Sequence, residues 1–164
     1  MRAYVGVGSN LGDRWGHLSL ATHELRGSAG VRLVQASCVY DAAPMGPAQP
    51  RYLNAALELE TDLPPEALLE RLLAVERLAL RRPGVRWGPR TLDLDLLLFE
   101  DVVLHRPALI LPHPGLISRR WVLAPLAEIA AGRLVPGTGK TVAELLRSAP
   151  VHDMARAGMY PGAV

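Results

Sequence analysis

The stretch Thr91-Leu92-Asp93-Leu94-Asp95-Leu96-Leu97-Leu98-Phe99 decides the fold, because its side chains alternate as they do on a β-strand. One face of this strand is expected to carry only leucines, namely Leu92, Leu94, Leu96 and Leu98. The other face would carry Thr91, Asp93, Asp95 and Leu97. Such a pattern predicts that one face packs on a core and that the other presents polar groups.

Residues 51–61 repeat this pattern and predict a second strand. Its apolar face is expected to hold Leu53, Ala55, Leu57 and Leu59. Its opposite face would hold Tyr52, Asn54, Glu58 and Glu60. Together the two strands predict a sheet on which acids, an amide and an aromatic ring share the face turned away from the core.

The neighbouring segments complete an alternating order of strands and helices. Strands are expected at 4–8 and 31–40, and helices at 12–26 and from Pro64-Pro65 onward. Two more helices are expected near 118–131 and 141–148, the second opening with a capping box from Thr141 to Glu144. The order strand, helix, strand, strand, helix, strand is typical of a ferredoxin-like α+β sandwich. We therefore expect a mainly antiparallel sheet with helices on one face and the active site on the other.

Length and composition limit the class of protein. The 164 residues fit one domain, expected at 1–150, with a loosely ordered tail at 151–164 that shows no periodicity. Hydrophobic residues make up 49% and charged residues 21%, which argues against disorder, and the lone Cys38 excludes an intrachain disulfide. Because no signal peptide and no apolar run of about 18 residues is found, we expect a cytoplasmic protein without a membrane partner.

Positive charge is concentrated on arginine. The formal charge is only +2, which does not describe a general nucleic-acid binder. Five of the arginines fall between positions 77 and 90: Arg77, Arg81, Arg82, Arg86 and Arg90. Because a guanidinium can donate two parallel hydrogen bonds to phosphate oxygens, the cluster indicates an anionic small molecule or a nucleic-acid backbone.

Asp93 and Asp95 are the strongest candidate site residues. Side chains two positions apart on a strand point the same way, with Cα atoms about 6.6 Å apart. Two carboxylates this close repel each other unless a cation lies between them, and Mg²⁺ prefers such oxygen ligands together with substrate phosphates. The alternative is a solvated strand face with an arginine as counter-ion, although the arginines at 86 and 90 favour phosphate and metal.

Other candidates have two interpretations each. Trp87 could stack on a base or serve as a hydrophobic plug, and Glu76 could bind a ribose hydroxyl or pair with an arginine. Tyr52 with Asn54 could recognise a heterocycle or simply pack across strands. Trp121 is either core or an aromatic wall, and His113 is more typical of a structural loop. Gly6-Val7-Gly8 lacks the third glycine of a dinucleotide fingerprint, because position 11 is leucine.

The sequence resembles the 6-hydroxymethyl-7,8-dihydropterin pyrophosphokinase family of folate biosynthesis. The most specific shared motif is Arg86-Trp87-Gly88-Pro89-Arg90-Thr91-Leu92-Asp93-Leu94-Asp95. The others are Gly8-Ser9-Asn10-Leu11-Gly12-Asp13, Pro44-Met45-Gly46-Pro47, Tyr52-Leu53-Asn54-Ala55 and Leu111-Pro112-His113-Pro114. Together they span residues 4 to about 130.

This resemblance implies transfer of diphosphate from ATP to the hydroxymethyl group of a reduced pterin, with release of AMP. It also implies a ferredoxin-like fold with the active site on a helix-free sheet face. Two Mg²⁺ ions, bound with ATP, would be held by Asp93 and Asp95. The partners would be ATP and the pterin, with no nucleic acid and with a monomer favoured.

The resemblance also assigns the remaining roles. Arg81 and Arg90 would contact the phosphates, Arg81 from a mobile loop that closes over the site. The residues that would meet ATP are Glu76, Trp87, Arg90, Leu96, His113 and Arg119. Those that would meet the pterin are Ala42, Ala43, Met45, Tyr52, Asn54 and Trp121. The chain departs from the family pattern at Pro83, at Ala42-Ala43 and at Trp121, where the family commonly has arginine, Thr-Pro and phenylalanine.

Two other classes of protein compete with the enzyme. A ferredoxin-like RNA-binding module would need several exposed aromatic residues on its sheet, and only Tyr52 and Trp87 qualify. An interaction subunit without catalysis is the second rival, and the intact Asp93, Asp95 and Arg90 argue against it.

Overall fold

A computed structural model describes residues 1–80, 84 and 86–162 of the chain. The strands are β1 (Arg2–Ser9), β2 (Val31–Ala36), β3 (Val39–Ala42), β4 (Tyr52–Thr61), β5 (Asp93–Phe99), β6 (Leu104–Arg106), β7 (Leu109–Leu111), β8 (Leu134–Val135), β9 (Lys140–Thr141) and β10 (Met154–Gly158). The helices are α1 (Arg14–Arg26), α2 (Pro65–Leu78), α3 (Arg120–Ala130) and α4 (Val142–Ser148). Among these described helices, none has the length and apolar character that crossing a membrane requires.

The main sheet is antiparallel and has the order β10-β3-β4-β1-β5, with β2 also paired to β4. This confirms the predicted α+β class with a mainly antiparallel sheet. The strand predicted at 31–40 is two strands, because Ser37 interrupts the pairing. The Ser37 hydroxyl accepts a hydrogen bond from the Ala56 amide at 2.9 Å, and the Ser37 amide donates to the Ala56 carbonyl.

The core lies between the sheet and the helices α1 and α2. From the sheet, the predicted apolar faces contribute Leu53, Ala55, Leu57, Leu59, Leu92, Leu94 and Leu96. From the helices come Leu18, Ala21, Leu25, Leu68, Leu72 and Val75. The period-two and period-3.6 patterns of the sequence therefore identified this core correctly.

The prediction that Leu98 shares the apolar core face of its strand is wrong. It packs on the opposite side of the sheet with Tyr4 and Leu97, whereas Phe99 returns to the main core. The cause is a bulge between β1 and β5: Tyr4 pairs with Leu98, but Val5 pairs with Leu96. One extra residue in a strand reverses the alternation beyond it.

The expectation of a helix-free sheet face is also wrong in part. Helices α3 and α4 cover one end of that face and bury Tyr4, Ala56, Leu97 and Leu98. The strand register places Tyr4 at the start of β1, while Gly6 and Gly8 lie towards its end. The candidate site is therefore confined to the half of the face formed by the end of β1 and the starts of β4 and β5.

The tail that was expected to be loosely ordered is part of the fold. β10 pairs with the edge strand β3, and Tyr160 is buried with its hydroxyl donating to the Leu18 carbonyl at 2.8 Å. The sequence gives no signal for β10 because this strand lies at the edge and most of its side chains face solvent. Backbone pairing attaches this strand to β3, and Arg156 adds an ion pair with Glu128 at 2.9 Å.

We expect Tyr160→Phe to lower the free energy of unfolding by about 1 kcal/mol, because it removes the buried hydroxyl that donates to the Leu18 carbonyl and keeps the shape of the ring. Met159→Ala is the matched control: Met159 is 82% exposed, so its truncation should change stability by less than about 0.5 kcal/mol. Urea denaturation measures the free energy of unfolding of both variants. Equal stability of the Tyr160→Phe variant and the unaltered protein would contradict the anchoring role.

Candidate active site

A cavity of about 290 Å³ opens on the uncovered half of the sheet. It brings together most of the predicted site residues: Ala43, Met45, Tyr52, Asn54, Trp87, Arg90, Asp93, Asp95, His113, Arg119 and Trp121. These residues come from β4, β5, α3 and three loops, so only the folded chain assembles them. Asp95 and His113 also line a second cavity of about 260 Å³.

Three predicted site residues that the structure describes do not line the first cavity. Leu96 is nearly buried and lines the second cavity instead, together with Leu69 and Ile110. Ala42 is buried in the sheet. Glu76 is 5% exposed, and its Oε1 accepts a hydrogen bond from the Leu94 amide at 2.7 Å, between the two aspartates. Arg81 lies outside the described residues.

The glycines of β1 form the floor between the aspartates of β5 and the site residues of β4. Gly8 pairs with Asn54 on one side and with Asp93 on the other, and Gly6 pairs with Asp95. A Cβ at Gly8 would lie 3.3 Å from Asn54 Oδ1 and 3.5 Å from the Tyr52 ring. Glycine at this position therefore leaves the room that a ligand needs across the centre of the sheet.

Asp93 lies next to a guanidinium group, and Asp95 lies next to an imidazole ring. Asp93 Oδ1 accepts a hydrogen bond from Arg90 Nη1 at 2.9 Å. Asp95 Oδ1 lies 3.6 Å from His113 Nε2. The Asp95 side chain is 37% accessible from the cavities, and the protein around it removes part of its hydration. This burial, and then the charges of Asp93 and Glu76, raise the pKa of Asp95 to about 7.

The hydrogen bonds of His113 fix its tautomer. Nδ1 accepts from the Gly115 amide at 3.0 Å, so the ring proton lies on Nε2 and points towards Asp95. Burial, followed by the charge of Arg119, lowers the pKa of His113 and favours the neutral ring. His113 thus presents an N–H donor to a position that lines both cavities, in agreement with its expected place in the site.

Trp87 lies between two guanidinium groups. The Arg119 carbon Cζ is 4.7 Å from the centroid of its ring, and that of Arg86 is 5.6 Å away. Such distances are typical of cation–π contacts. The ring is 38% exposed and lines the cavity, so it is not the hydrophobic plug of the alternative interpretation.

Two amide side chains connect the loops around the cavity. Asn10 Oδ1 accepts from the Arg90 amide at 2.8 Å, and Asn10 Nδ2 donates to Gln49 Oε1 at 2.9 Å. Gln49 Nε2 in turn donates to the Trp87 carbonyl at 2.6 Å. Gly46, at φ +88°, comes so close to Trp87 that a Cβ there would lie 2.6 Å from the tryptophan Cβ.

Tyr52, Asn54 and Trp121 form the wall on the side of β4. The Tyr52 hydroxyl donates to the Gly88 carbonyl at 3.2 Å, which fixes the ring against the loop after α2. Among the described residues, Asn54 Nδ2 is buried without a hydrogen-bond partner. A buried amide donor without an acceptor is costly, so it indicates a ligand acceptor at this position.

Sequence reasoning missed several residues of the site. Gly6 and Gly8 were considered only as an incomplete dinucleotide motif, although glycines at alternate strand positions also mark a close approach to the strand. Val122 lines the cavity as well, beside Arg86 of the predicted arginine cluster. Asn10 and Gln49 gave no signal of their own, because their roles depend on loops that meet only in the fold.

A metal would find two carboxylates here. Within the described part of the chain, no group of three or more His, Cys, Asp or Glu residues could hold a metal ion. A pair of aspartates is nevertheless the donor set that Mg²⁺ uses when phosphate oxygens complete its coordination. Burial first, and then repulsion by Asp93 and Glu76, raise the pKa of Asp95, and a bound cation would offset both effects, so the residues present fit the ion.

Comparison with known proteins gives one consistent family. The sequence pattern of the 7,8-dihydro-6-hydroxymethylpterin-pyrophosphokinase (HPPK) family matches residues 4–131. A Pseudomonas aeruginosa protein named 2-amino-4-hydroxy-6-hydroxymethyldihydropteridine pyrophosphokinase is 40% identical over 163 residues, which cover 99% of this chain and 98% of that protein. A Synechocystis protein of the same name is 42% identical over 144 residues, covering 88% of this chain and 74% of the relative.

Solved structures show a similar fold. The crystal structure of wild-type Plasmodium falciparum HPPK-DHPS with pteroate superposes with a TM-score of 0.72 at 14% identity. The match covers 89% of this chain but only 42% of the Plasmodium chain. At this identity the similarity concerns the fold alone.

The charge on Asp95 predicts how stability changes with pH. The folded-state pKa of about 7 lies above the ordinary value of 3.8, so between these values the folded state binds a proton that the unfolded state does not. The free energy of unfolding should therefore fall as pH rises from about 4 to about 7 and stay level above that. Asp95→Asn removes this contribution and should be more stable than the unaltered protein at pH 8.

Chemical denaturation of both proteins at pH 5 and pH 8 measures this effect. The stability difference should be larger at pH 8. Asp101→Asn is the control, because the Asp101 side chain is 89% exposed and should show little effect at either pH. A variant at Asp95 that is no more stable at pH 8 would show that the carboxylate carries no electrostatic penalty.

Proposed function

Because the chain belongs to the 7,8-dihydro-6-hydroxymethylpterin-pyrophosphokinase family, we propose that it transfers diphosphate from ATP to 6-hydroxymethyl-7,8-dihydropterin. The products are AMP and the pterin diphosphate ester, a step in the biosynthesis of tetrahydrofolate. One observation carries the proposal: Asp93 and Asp95 line a cavity with aromatic and amide walls, and Asp95 also lines a second, more apolar cavity. Two ring systems joined by a phosphate chain fit that arrangement.

The pterin would occupy the first cavity, on the side of β4. Tyr52 and Trp121 offer flat apolar surfaces to the ring, and Asn54 Nδ2 offers the donor that has no acceptor among the described residues. The backbone of Ala43 and the side chain of Met45 close this end. Ala42 contributes through the strand that holds Ala43 in place.

ATP would approach from the second cavity. Leu69, Leu96 and Ile110 give it apolar walls suited to an adenine ring. The phosphates would then lie near His113, Arg90 and Arg119, where Trp87 and Arg86 complete the wall. We propose phosphate contact for Arg81 as well, by family resemblance, and we assign Glu76 to positioning β5 rather than to contact with ATP.

Mg²⁺ would be held by Asp93 and Asp95 together with the phosphates, as a pair of ions bound with ATP. When bound there, such ions would supply positive charge that offsets the negative charge of the phosphates. The side chains of the chain itself supply orientation. Arg90 and His113 donate towards the phosphates, and the aromatic walls hold the hydroxymethyl group in line for attack at the β-phosphorus. Either aspartate or solvent can take the proton of the attacking hydroxyl, so no further described residue has to act as a general base.

The rival RNA-binding interpretation is disfavoured by the fold. Helices α3 and α4 cover half of the sheet face that such a module would use, and the remaining half carries Asp93 and Asp95. These carboxylates would repel an RNA backbone. A cytoplasmic location and a monomeric state stay predictions.

Asp95→Ala should abolish AMP release in the presence of Mg²⁺ while the thermal unfolding transition stays cooperative, because one of the two metal-binding carboxylates is gone. The matched control, Asp101→Ala, removes an exposed carboxylate and should keep the normal rate. Calorimetry with a non-hydrolysable ATP analogue, with and without Mg²⁺, should show metal-dependent binding only in the control and the unaltered protein. A near-normal rate for Asp95→Ala would overturn the metal assignment.

Asn54→Ala should raise the KM for the pterin by about tenfold or more, since a buried hydrogen bond to the ligand is worth about 1–2 kcal/mol. The KM for ATP should stay within about twofold of normal, because no ATP contact is removed. The melting temperature should change little, because the amide nitrogen has no partner to lose among the described residues. Steady-state kinetics with each substrate varied in turn distinguishes these results. An equal rise in both KM values would contradict the assignment.

A further inference from the structure

Residues 152 and 153, which we call the C-terminal clamp, bind both the amide and the carbonyl group of Ala43. The Ala43 amide donates to the Asp153 carbonyl at 2.9 Å. His152 Nε2 lies 2.8 Å from the Ala43 carbonyl. Because a carbonyl only accepts, Nε2 carries the proton, and the bond persists whether the imidazole is neutral or charged.

The same histidine touches the wall of the cavity. The centroid of its ring lies 4.4 Å from that of Trp121, with the two planes tilted by 43°. Ala43 and Trp121 both line the cavity, whereas His152 does not. His152 therefore lies behind the wall and contacts two of its members, one from the loop after β3 and one from α3.

Two arginines keep the clamp in place. Arg51 Nη1 donates to Asp153 Oδ2 at 2.8 Å, and Arg51 also pairs with Asp41. Arg120, the neighbour of Trp121, donates through Nε to the Pro150 carbonyl at 3.0 Å and through Nη2 to the Ala149 carbonyl at 2.8 Å. The segment between α4 and β10 is therefore fixed to the elements that carry the cavity wall.

From this geometry we infer that His152 is a positioning residue for the pterin site: it sets the spacing between the Ala43 backbone and the Trp121 ring, and so the affinity for the flat ligand between them. The inference rests on the proposed function, because it takes the ligand at this wall to be the pterin. It assigns a role in substrate recognition to the C-terminal segment, which lies beyond the residues matched by the family pattern.

Three substitutions separate the two contacts. His152→Ala removes both, His152→Gln retains an N–H donor without the ring, and His152→Phe retains a ring without the donor. His23→Ala is the matched control, because His23 is exposed on α1, which packs on the other face of the sheet. The melting temperature of each variant is recorded first. His152→Gln is the variant to compare if His152→Ala unfolds at the assay temperature.

We expect His152→Ala to raise the KM for the pterin by roughly tenfold and to leave the KM for ATP and kcat within about twofold. The KM for the pterin in His152→Gln and in His152→Phe should lie between the values for His152→Ala and for the unaltered protein. A purely structural role would instead lower the melting temperature and the active fraction, without separating the two substrates. Unchanged pterin KM in His152→Ala, or an equal rise in both KM values, would overturn the inference.

Hydrogen–deuterium exchange gives a readout that does not need turnover. The amide of Ala43 should exchange faster in His152→Ala and His152→Phe than in the unaltered protein, because the clamp is weakened, and it should be nearly normal in His152→Gln. Equal exchange in all four proteins would contradict the clamp. If the unaltered protein releases no AMP from ATP and the pterin, the proposed function fails, and exchange still decides whether the clamp exists.

Discussion

Strand β1 pairs with β4 on one side and β5 on the other, and every functional residue of the sheet is positioned by those two registers. Neighbouring strands lie about 4.8 Å apart, so Asn54 and Asp93, both paired with Gly8, face each other across two such spacings. Any side chain at Gly8 would fill the gap between them. The absence of a Cβ there turns a flat sheet into a trough between an amide and a carboxylate. A ligand that bridges the two sides has to lie over β1.

The acidic side of the trough brings like charges together, so they repel each other. Partners of different kinds reduce this repulsion. Arg90 pairs with Asp93, while His113 directs its N–H towards Asp95. Glu76 adds a third negative charge nearby. Its carboxylate also accepts a hydrogen bond from the Leu94 amide, and this bond holds β5 in place between the two aspartates. The strand is thus held in a geometry that is electrostatically unfavourable without a cation. This geometry supports the proposal that a metal-bound phosphate would lie here.

The opposite side of the trough is built differently. Its residues are aromatic rings and an amide, and they are fixed by hydrogen bonds from neighbouring segments rather than by charge. Tyr52 is tied to Gly88, Gln49 to the Trp87 carbonyl, and Ala43 to the C-terminal clamp. Because these ties come from loops far apart in sequence, the shape of this pocket depends on the whole chain, including its last strand.

Periodicity in the sequence determined the two main strands, the core helices and the shared face of Asp93, Asp95, Tyr52 and Asn54. These follow from local geometry alone, since alternate side chains of a strand point the same way whatever the strand packs against. The capping box at Thr141 and Glu144 was local as well and is present. Only the tertiary structure decided the face of Leu98, the cover of α3 and α4 on half of the sheet, and the pairing of β10. A bulge, the choice of a packing face and an edge strand depend on partners distant in sequence, and those partners meet only when the chain has folded.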